Sequence, residues 1–513
     1  MATGNWKGGA TGVTQILNTN NPLATKAHFK TVTGSNNDAD RYVHPSTHCL
    51  ICPSETPEGE KCGLVHHLTE NAHIMDENDT KQPTRKEQGK YTLFWNGMPH
   101  GKTNTPPQCH CVQRKNEIWA WTDHGILVHK HTPDPKIHML ATAASTIPFA
   151  QHNQSPRISY YASMAKQAIP PTPGGTHQLL YGQNALVPPQ SNVGCNVVIA
   201  VIPMGWNIED ALVFNKAAIE RGLFQSITNK KYVMQDKPEY REGDVIKKGT
   251  KIAGKKTIFD ETVQMVTQDT HGTFIVHTAF KRVPEVGDKF CSRAGQKGTI
   301  GAILPQTDMP FTEEGITPDV VINPHAFPSR MTVSQIYETA AAKLNCFGAH
   351  IDGTPFNNTP DIQNMLRMHG FHPSGKQMMT SGITGEPLKA RIFIGMCFYQ
   401  RLHHMAAEKC YARKGGPVDP ITKQPVAGRK FGGGLRLGEM EKDCILAAGA
   451  NNVLRERMQS IGYTKATVCA ACNKIKLSCT CKQQTKHTQI TMPHASKLLT
   501  MELQAMGVSL QIS

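Results

Sequence analysis

The chain has 513 residues, and its 55 Lys and Arg against 40 Asp and Glu give a formal charge of +15. This length excludes a single hydrophobic core, so about three or four domains are expected. The positive excess favours a polyanionic partner, such as nucleic acid, or an acidic companion subunit.

The cysteines and apolar runs indicate the compartment. Fifteen cysteines, odd in number and mostly scattered, are typical of a reducing compartment and not of a secreted disulfide scaffold. The N-terminal segment lacks the apolar core of a signal peptide. The longest apolar run, Val197 to Trp206, is shorter than the roughly 20 residues that cross a bilayer. We therefore predict a soluble intracellular protein with no membrane partner.

Short elements are expected throughout, because 43 Gly and 33 Pro punctuate the chain. Helical periodicity is rare, which predicts a β-rich, multi-domain α+β fold. Residues 76–115 are predicted to be a polar surface excursion, and residues 168–191 a Pro- and Gly-rich linker. Val197 to Ile202 is predicted to be a buried strand by its β-branched run. The lysine-rich residues 229–256 alternate turn signals with apolar pairs, which predicts a small all-β module.

Two helices are predicted in the second half. Residues 333–344 should form one, with Thr332 available as its N-cap. Its predicted apolar face comprises Val333, Ile336, Tyr337, Ala340, Ala341 and Leu344.

The second predicted helix covers residues 400–413. It places Arg401, Lys409 and Arg413 within an arc of about 120°. Such a basic face would follow a nucleic-acid backbone. The alternative is a helix that exposes its charges to water.

An acidic pair, Glu209 and Asp210, directly follows the predicted buried strand in "GWNIEDALVF". Adjacent carboxylates repel one another, and a divalent cation bridged to phosphates would hold them together. Both cannot point at one ion from a regular helix, so a turn is implied, with one carboxylate acting through water. The alternative is a helix start, where the dipole favours acidic residues.

Residues 287–301, "GDKFCSRAGQKGTIG", carry Lys289, Arg293 and Lys297 on a segment with four glycines. The segment is either a solvated loop or a lining that aims cations at a strongly negative group. Glycines would let the main chain approach phosphates closely. The spacing is not that of a P-loop.

Two arginines lie in turns fixed by proline, Arg157 in "HNQSPRISYY" and Arg330 in "NPHAFPSRMT". Arg330 comes just before a predicted helix, where a phosphate would meet the guanidinium and free N–H groups. Alternatively, each arginine ties down its own turn.

The C-terminal segment "CAACNKIKLSCTC" supplies four thiols, Cys469, Cys472, Cys479 and Cys481. Four thiols at this density suit tetrahedral zinc, although the second pair has the unusual C-x-C spacing. Another cysteine group, in residues 48–62, lacks a tight second pair, and packing is the preferred interpretation there.

A series of longer motifs runs through the chain in a fixed order. They are "HPSTHCLICPSETPEGEKCGL", "HNQSPR", "GWNIEDALVFNKAAIERGLF", "GDKFCSRAGQKGTIG", "MPFTEEGITPDVVINPHAFPSRMT", "YQRLHHM", "GGLRLGEMEKD" and "MPHASKLLTMELQAMG". In sequence and order they resemble the second-largest, β-type subunit of multisubunit DNA-directed RNA polymerases, in its archaeal, eukaryotic nuclear or large-DNA-virus version. The resemblance spans nearly the whole chain but only that subunit's C-terminal half. It implies either a split gene, with a separate N-terminal-half subunit, or a fragment.

The resemblance implies roles for the acidic pair and two lysines. Glu209 and Asp210 match the pair near the second Mg²⁺, which arrives with the nucleoside triphosphate. Lys289 and Lys297 match lysines that line the active centre near the RNA 3′ end and the incoming nucleotide.

Roles for arginines, glutamines and cysteines follow in the same way. Arg157 and Arg330 match arginines that touch the triphosphate, and Gln154 and Gln167 lie in a block that contacts the RNA of the hybrid. The four C-terminal cysteines fall where the family has its clamp zinc site, although its usual two C-x-x-C pairs are not both present.

The resemblance also implies a division of the chain. The regions are 1–64 (fork-like), 65–145 (shortened external), 146–226 (first hybrid-binding part), 227–280 (wall- or flap-like), 281–438 (second hybrid-binding part), 439–455 (anchor-like) and 456–513 (zinc-binding clamp).

The implied function is that of a catalytic-core polymerase subunit with Mg²⁺ and Zn²⁺ as cofactors. The implied partners are the largest subunit, which would bring the cage for the first magnesium, other polymerase subunits, template DNA, RNA and nucleoside triphosphates. The alternative is a non-catalytic, zinc-containing nucleic-acid-binding remnant of such a subunit.

Overall fold

A computed structural model of the chain describes most of its residues. The described ranges are 15–33, 38–42, 51–70, 72–74, 91–95, 98–103, 111–114, 117–121, 126–128, 139–173, 175–253, 255–270, 272–460, 462–475, 481 and 486–511. The chain divides into two compact units, residues 1–406 and residues 407–513. None of the helices in the described ranges is both long and apolar enough to span a bilayer.

Helices and strands are mixed, and strands predominate, which confirms the predicted β-rich class. The described α-helices are α1 (Pro22–Phe29), α2 (Ser155–Ala165), α3 (Lys216–Glu220), α4 (Val333–Asn345), α5 (Ile362–Met368), α6 (Ala406–Lys409), α7 (Glu439–Ala447), α8 (Asn451–Ser460) and α9 (His494–Ala505). Short 3-10 turns occupy Asp38–Arg41, Gly59–Lys61, Ala144–Thr146, Ala150–His152, Gln306–Asp308, Pro324–Ala326 and Arg429–Phe431.

The strands fall into several sheets. They are β1 (Thr31–Thr33), β2 (Val65–His67), β3 (Ala72–Ile74), β4 (Tyr91–Trp95), β5 (Met98–Thr103), β6 (Cys111–Arg114), β7 (Glu117–Trp121), β8 (Ile126–Val128), β9 (His177–Leu179), β10 (Cys195–Val201), β11 (Ala211–Asn215), β12 (Ser226–Met234), β13 (Val245–Ile246), β14 (Lys251–Ile252), β15 (Lys255–Lys256), β16 (Glu261–Gln268), β17 (Phe274–Arg282), β18 (Lys289–Ser292), β19 (Lys297–Leu304), β20 (Phe311–Thr312), β21 (Val320–Ile322), β22 (Lys376–Gln377), β23 (Met379–Thr380), β24 (Ile392–Arg401), β25 (Tyr463–Cys469) and β26 (His487–Pro493). Strands β3 to β8 form a six-stranded antiparallel sheet, which extends beyond both ends of the surface excursion predicted at residues 76–115.

A closed six-stranded barrel lies in the first unit. Its strands pair in the order β10, β21, β11, β19, β18 and β24, and β24 closes the ring by pairing with β10. The pairs β10–β21 and β11–β19 are parallel, and the other pairs of the ring are antiparallel. The buried strand predicted at Val197 to Ile202 is confirmed as β10.

One apolar cluster draws residues from all six strands and therefore fills the barrel. It includes Val197, Ile199, Leu212, Phe214, Phe290, Ile300, Val320, Ile322, Cys397 and Tyr399. Residues of the opposite strand face, such as Ala200 and Val213, join a separate cluster. This division follows from the two-residue period of a strand. The packed interior makes the barrel a rigid support for the loops at its ends.

Strands are the described elements of residues 226–282, as the alternating pattern of the lysine-rich stretch predicted. β12, β13, β16 and β17 join β9 in one antiparallel sheet, and β14 pairs with β15. The apolar core shared by these strands comprises Tyr232, Ile246, Ile252, Val263 and Val276.

Residues 168–191 are packed into the first unit and are not the predicted linker. Leu179 and Val187 are each only 1% exposed. Arg293 donates hydrogen bonds to the carbonyl oxygens of Val187 (2.9 Å) and Pro189 (2.8 Å).

Helix α4 is confirmed, but the prediction of its buried face is partly wrong. Val333 and Ile336 are 40% and 41% exposed, whereas Ser334, Gln335, Glu338 and Thr339 are buried. The polar face packs on β24 because it supplies partners for buried polar groups of the barrel.

Thr332 is the N-cap residue of α4, as predicted, but its side chain does not cap the helix. Its Oγ1 accepts a hydrogen bond from Gln296 Nε2 (2.7 Å). Asn153 Oδ1 accepts from the Ser334 N–H instead (3.0 Å).

The helix predicted over residues 400–413 is wrong. β24 runs through Arg401, and α6 covers only Ala406–Lys409. Arg401 is 1% exposed, and its Nη2 pairs with Asp288 Oδ2 at 2.7 Å. Strand β24 is buried along nearly its whole length and pairs with β10 and β18 on its two sides, which outweighed the helical spacing of the cations. Arg401 therefore offers no charge to nucleic acid. Lys409 is exposed and Arg413 partly so, and their predicted contacts stay predictions.

Candidate functional site

Strand directions bring several predicted site residues to one end of the barrel. Asp210 directly precedes β11, and Lys297 begins β19. Because these strands are parallel, their starts lie at the same end. β21 runs antiparallel to β11, so it ends there, and the segment carrying Arg330 follows.

The acidic pair occupies a turn. A turn is what the prediction of a metal site at Glu209 and Asp210 required. Glu209 has a φ of 57°, and a strand follows Asp210, so the alternative of a helix start is wrong. Buried Asn207 shapes this turn by accepting from the Met204 N–H (2.7 Å) and donating to the Ile202 carbonyl (2.8 Å). Asn323 Nδ2 donates to the Asn207 carbonyl at 3.0 Å, which joins the turn to the end of β21.

Residues 287–301 form the hairpin β18–β19 and not a solvated loop. Lys289 pairs with Thr299 and Cys291 with Lys297. Both lysines therefore lie on one face of the hairpin. Arg293, in the connecting turn, is fully buried, so it points at the protein interior and not at a ligand.

The glycines of this hairpin admit the protein's own backbone. A Cβ at Gly295 would clash with the carbonyl oxygen of Arg157, and one at Gly298 with that of Asp210. The expectation that these glycines admit phosphates is corrected accordingly. Close contact between the hairpin, α2 and the acidic turn fixes the spacing of the charges.

Three cations gather beside the acidic pair. Arg330 Nη1 forms an ion pair with Asp210 Oδ1, and it donates to Gln296 Oε1 at 2.8 Å. Arg157 lies over the Tyr160 ring at 5.1 Å from the centroid, and Lys297 Nζ lies 5.9 Å from it. Burial, and then the nearby Arg330 charge, lower the pKa of Arg157, while Asp210 acts in the opposite sense.

A cleft of about 600 Å³ opens at this cluster, within the size range of small-ligand pockets. It is lined by Pro203, Met204, Ile208, Glu209, Asp210, Asn323, His325, Ala326, Ser329 and Arg330. A smaller cleft shares the acidic pair and Arg330 and extends to Gln296, Lys297 and Tyr399. Neighbouring cations repel one another, so a polyanion bound among them would relieve that repulsion.

The remaining predicted residues lie farther along the same elements. Lys289 is not among the residues lining these two clefts. Gln154 is the exposed N-cap of α2, and Gln167, beyond the other end of α2, contacts His404 Nε2 through Oε1 (2.8 Å). The number of residues between the two glutamines, multiplied by the rise per residue of an α-helix, gives a separation of roughly 20 Å. Their RNA contacts stay predictions.

The second unit brings three of the predicted zinc ligands together. The Sγ atoms of Cys469, Cys472 and Cys481 lie within 4.8 Å of one another, comparable with the separation of about 3.8 Å between thiolates of a tetrahedral zinc site. Cys479 lies outside the described residues. In the other cysteine group, Cys52 is buried and Cys62 is exposed, while residues 48 and 49 are outside the described ranges.

Sequence reasoning missed the amide side chains of the site. Asn207, Gln296 and Asn323 hold its loops, and Gln335 lines the smaller cleft. Their positions in the sequence could have pointed to them, because Gln296 stands next to Lys297 and Asn323 directly precedes Pro324. Amide residues are common in turns, so that signal is weak.

Comparisons with family models show which proteins this chain is similar to. Residues 143–261 and 250–431 match the family model described as RNA polymerase Rpb2, domain 6. Residues 433–513 match Rpb2, domain 7, and residues 15–74 match Rpb2, domain 3.

Curated relatives are similar over most of the chain. The DNA-directed RNA polymerase subunit Rpo2 of Saccharolobus shibatae is 28% identical over 99% of this chain and 63% of its own length. The DNA-directed RNA polymerase II subunit RPB2 of Schizosaccharomyces pombe is 33% identical over 87% and 44%. The DNA-directed RNA polymerase I subunit RPA2 of Euplotoides octocarinatus is 36% identical over 74% and 40%. The chain thus spans between 40% and 63% of the length of these relatives.

Proposed function

The chain belongs to the Rpb2 family of RNA polymerase second-largest subunits, and from that premise we propose that it helps form the active-centre cleft of a DNA-directed RNA polymerase. It would bind the incoming nucleoside triphosphate and the RNA–DNA hybrid during template-directed RNA synthesis. This activity requires the largest subunit, because two-metal transfer also needs the first magnesium, whose cage the largest subunit would bring.

The observation that carries this proposal is the gathering of Arg157, Lys297 and Arg330 beside the acidic pair. A triphosphate carries about four negative charges, and charge moves onto the leaving pyrophosphate as the bond breaks. Cations held in place before reaction stabilise that transition state more than the ground state. The packed barrel supplies this fixed placement.

The oxygens of the acidic pair suit magnesium. Glu209 is exposed, whereas Asp210 is half-buried and paired with Arg330, so Glu209 is open to a nucleotide-bound ion, which would reach Asp210 by displacing Arg330. Magnesium bound there would neutralise phosphate charge during transfer. Asp210 would hold the ion, and Glu209 would act through water.

A structural zinc site is proposed in the second unit. Cys469 ends β25, and Cys472 lies in the turn that follows, in which Asn473 N–H donates to the Cys469 carbonyl (2.9 Å). With Cys481, these thiols supply three soft ligands, and Cys479 is proposed as the fourth. The ion would tie this turn to the residue Cys481 farther along the chain.

The proposed nucleic-acid contacts are Gln154, Gln167, Lys409 and Arg413, to RNA and template DNA. Lys289 is proposed to act near the RNA 3′ end, from the hairpin face that it shares with Lys297. The region boundaries and the other polymerase subunits remain proposals that rest on the family.

Reconstitution of the chain with its partner subunits tests this function. Lys297→Ala should lower the rate of single-nucleotide addition by about 10²-fold, since it removes one preorganised charge from the transition state. Lys389→Ala, at an exposed lysine outside the clefts, serves as the control and should keep the wild-type rate. Unchanged addition by Lys297→Ala would favour the non-catalytic remnant.

A further inference from the structure

Arg330 shares one nitrogen between two acceptors of different charge. Its Nη1 pairs with the Asp210 carboxylate and donates to the neutral amide oxygen of Gln296 (2.8 Å). Within the described ranges, Nε and Nη2 of Arg330 have no protein acceptor. These donors are therefore available to a ligand in the cleft that Arg330 lines.

Gln296 holds the segment on both sides of Arg330. It is 7% exposed, and its Nε2 donates to the Ala326 carbonyl (2.8 Å) and to Thr332 Oγ1 (2.7 Å). Its oxygen is occupied by Arg330 itself. One side chain thus fixes the loop before the arginine, the residue two positions after it, and the guanidinium.

We propose that Gln296 is a positioning residue that keeps Arg330 directed into the cleft when Asp210 exchanges the arginine for a magnesium-bound triphosphate. This inference rests on the proposed function. Once Asp210 turns to the metal, Arg330 loses its anionic partner, and Gln296 remains as its protein contact. The guanidinium then meets the phosphates already oriented, with less conformational freedom to lose.

The neutral amide suits this task better than a carboxylate would. A carboxylate at residue 296 would accept from Arg330 but would also neutralise its charge and compete with the triphosphate. It could not donate to Ala326 or Thr332 either. An amide fixes the geometry and leaves the positive charge for the substrate.

A double-mutant cycle in the reconstituted complex tests the inference. Gln296→Leu should lower kcat/KM for single-nucleotide addition about tenfold, the usual scale for one hydrogen bond to a charged group. In an Arg330→Ala background the same change should lower kcat/KM by less than about twofold, because there is no guanidinium left to position. An equal loss in both backgrounds would overturn the inference and leave Gln296 a purely structural role.

Further variants separate charge from shape. Gln296→Glu should raise KM at least as much as Gln296→Leu, whereas Gln363→Glu, an equal charge change on an exposed α5 residue, should leave KM unchanged.

Thr332→Val removes one partner of Gln296 without touching Arg330, and should lower kcat/KM less than Gln296→Leu does. If Thr332→Val reproduced the whole Gln296→Leu effect, the inference would fail. A wild-type complex that adds no nucleotide would overturn the proposed function and this inference together.

Discussion

Arg293 and Glu338 are a fully buried ion pair that joins the turn of the β18–β19 hairpin to α4. Arg293 Nε and Nη2 both donate to Glu338 Oε1, at 3.0 and 2.7 Å. The guanidinium also lies 5.2 Å from the centroid of the Phe398 ring. The pair helps fix the turn that leads into Gln296 and Lys297.

Removing one partner of this ion pair should lower the free energy of unfolding more than removing both partners. Glu338→Ala leaves a buried, uncompensated guanidinium and should lower the free energy of unfolding by about 3–5 kcal/mol. Chemical denaturation of the purified chain measures this. The double change Arg293→Met with Glu338→Leu should recover much of the loss, because no buried charge remains. Equal stability of Glu338→Ala and the exposed control Glu386→Ala would contradict this account.

At the scale of elements, the site depends on how closely β19 approaches the turn before β11. Gly298 has no room for a side chain, because a Cβ there would meet the Asp210 carbonyl and, at 2.9 Å, Leu212 Cγ. The contact atoms are partly backbone in a closed barrel, so they yield little. The spacing between Lys297 and Asp210 therefore follows from backbone packing as well as from side-chain contacts.

Gly298→Ala should disturb both stability and the site. Forcing the β19 backbone away from Asp210 should cost about 1–3 kcal/mol of unfolding free energy and should also slow nucleotide addition. Gly205→Ala is a matched control, because a Cβ there meets no atom within 4 Å. Thermal denaturation and single-nucleotide addition measure the two effects. A Gly298→Ala chain indistinguishable from Gly205→Ala would show that this close approach is not needed.

At the scale of the whole molecule, the two units differ in how much core the described residues give them. The first contains several apolar clusters, including the barrel interior. In the second, α7 has no buried residue, and the buried apolar residues are Ala466, Val468, Cys469 and Ile475. A small core gains proportionately more from a metal cross-link.

Zinc removal should therefore loosen the second unit selectively. Treatment with a chelator, or Cys472→Ser, should release zinc and increase protease cleavage within residues 407–513, while the first unit stays resistant. Metal analysis and mapping of the cleavage sites measure both effects. Cys444→Ser, an exposed cysteine outside the cluster, should keep its zinc. A purified chain that holds no zinc would contradict the proposed site.

Several features of this protein could be predicted from the sequence because they depend on local pattern. The family motifs, the buried strand β10, the existence of α4 and the clustering of cysteines are all contained in contiguous residues. The predictions for Glu209, Asp210, Lys297, Arg157 and Arg330 came from such motifs and the resemblance they carry. The tertiary structure then brought these five residues to one end of the barrel.

The sequence by itself determined the family and which residues carry charge, whereas only the tertiary structure decided where each charge is directed. Arg293, Arg401 and Arg330 look alike in the chain, yet the first two are neutralised inside the protein by Glu338 and Asp288, and Arg330 reaches a cleft. Those partners are 45 and 113 residues away along the sequence. Ion pairing at such a separation depends on how strands close the barrel, a long-range property that local periodicity does not contain.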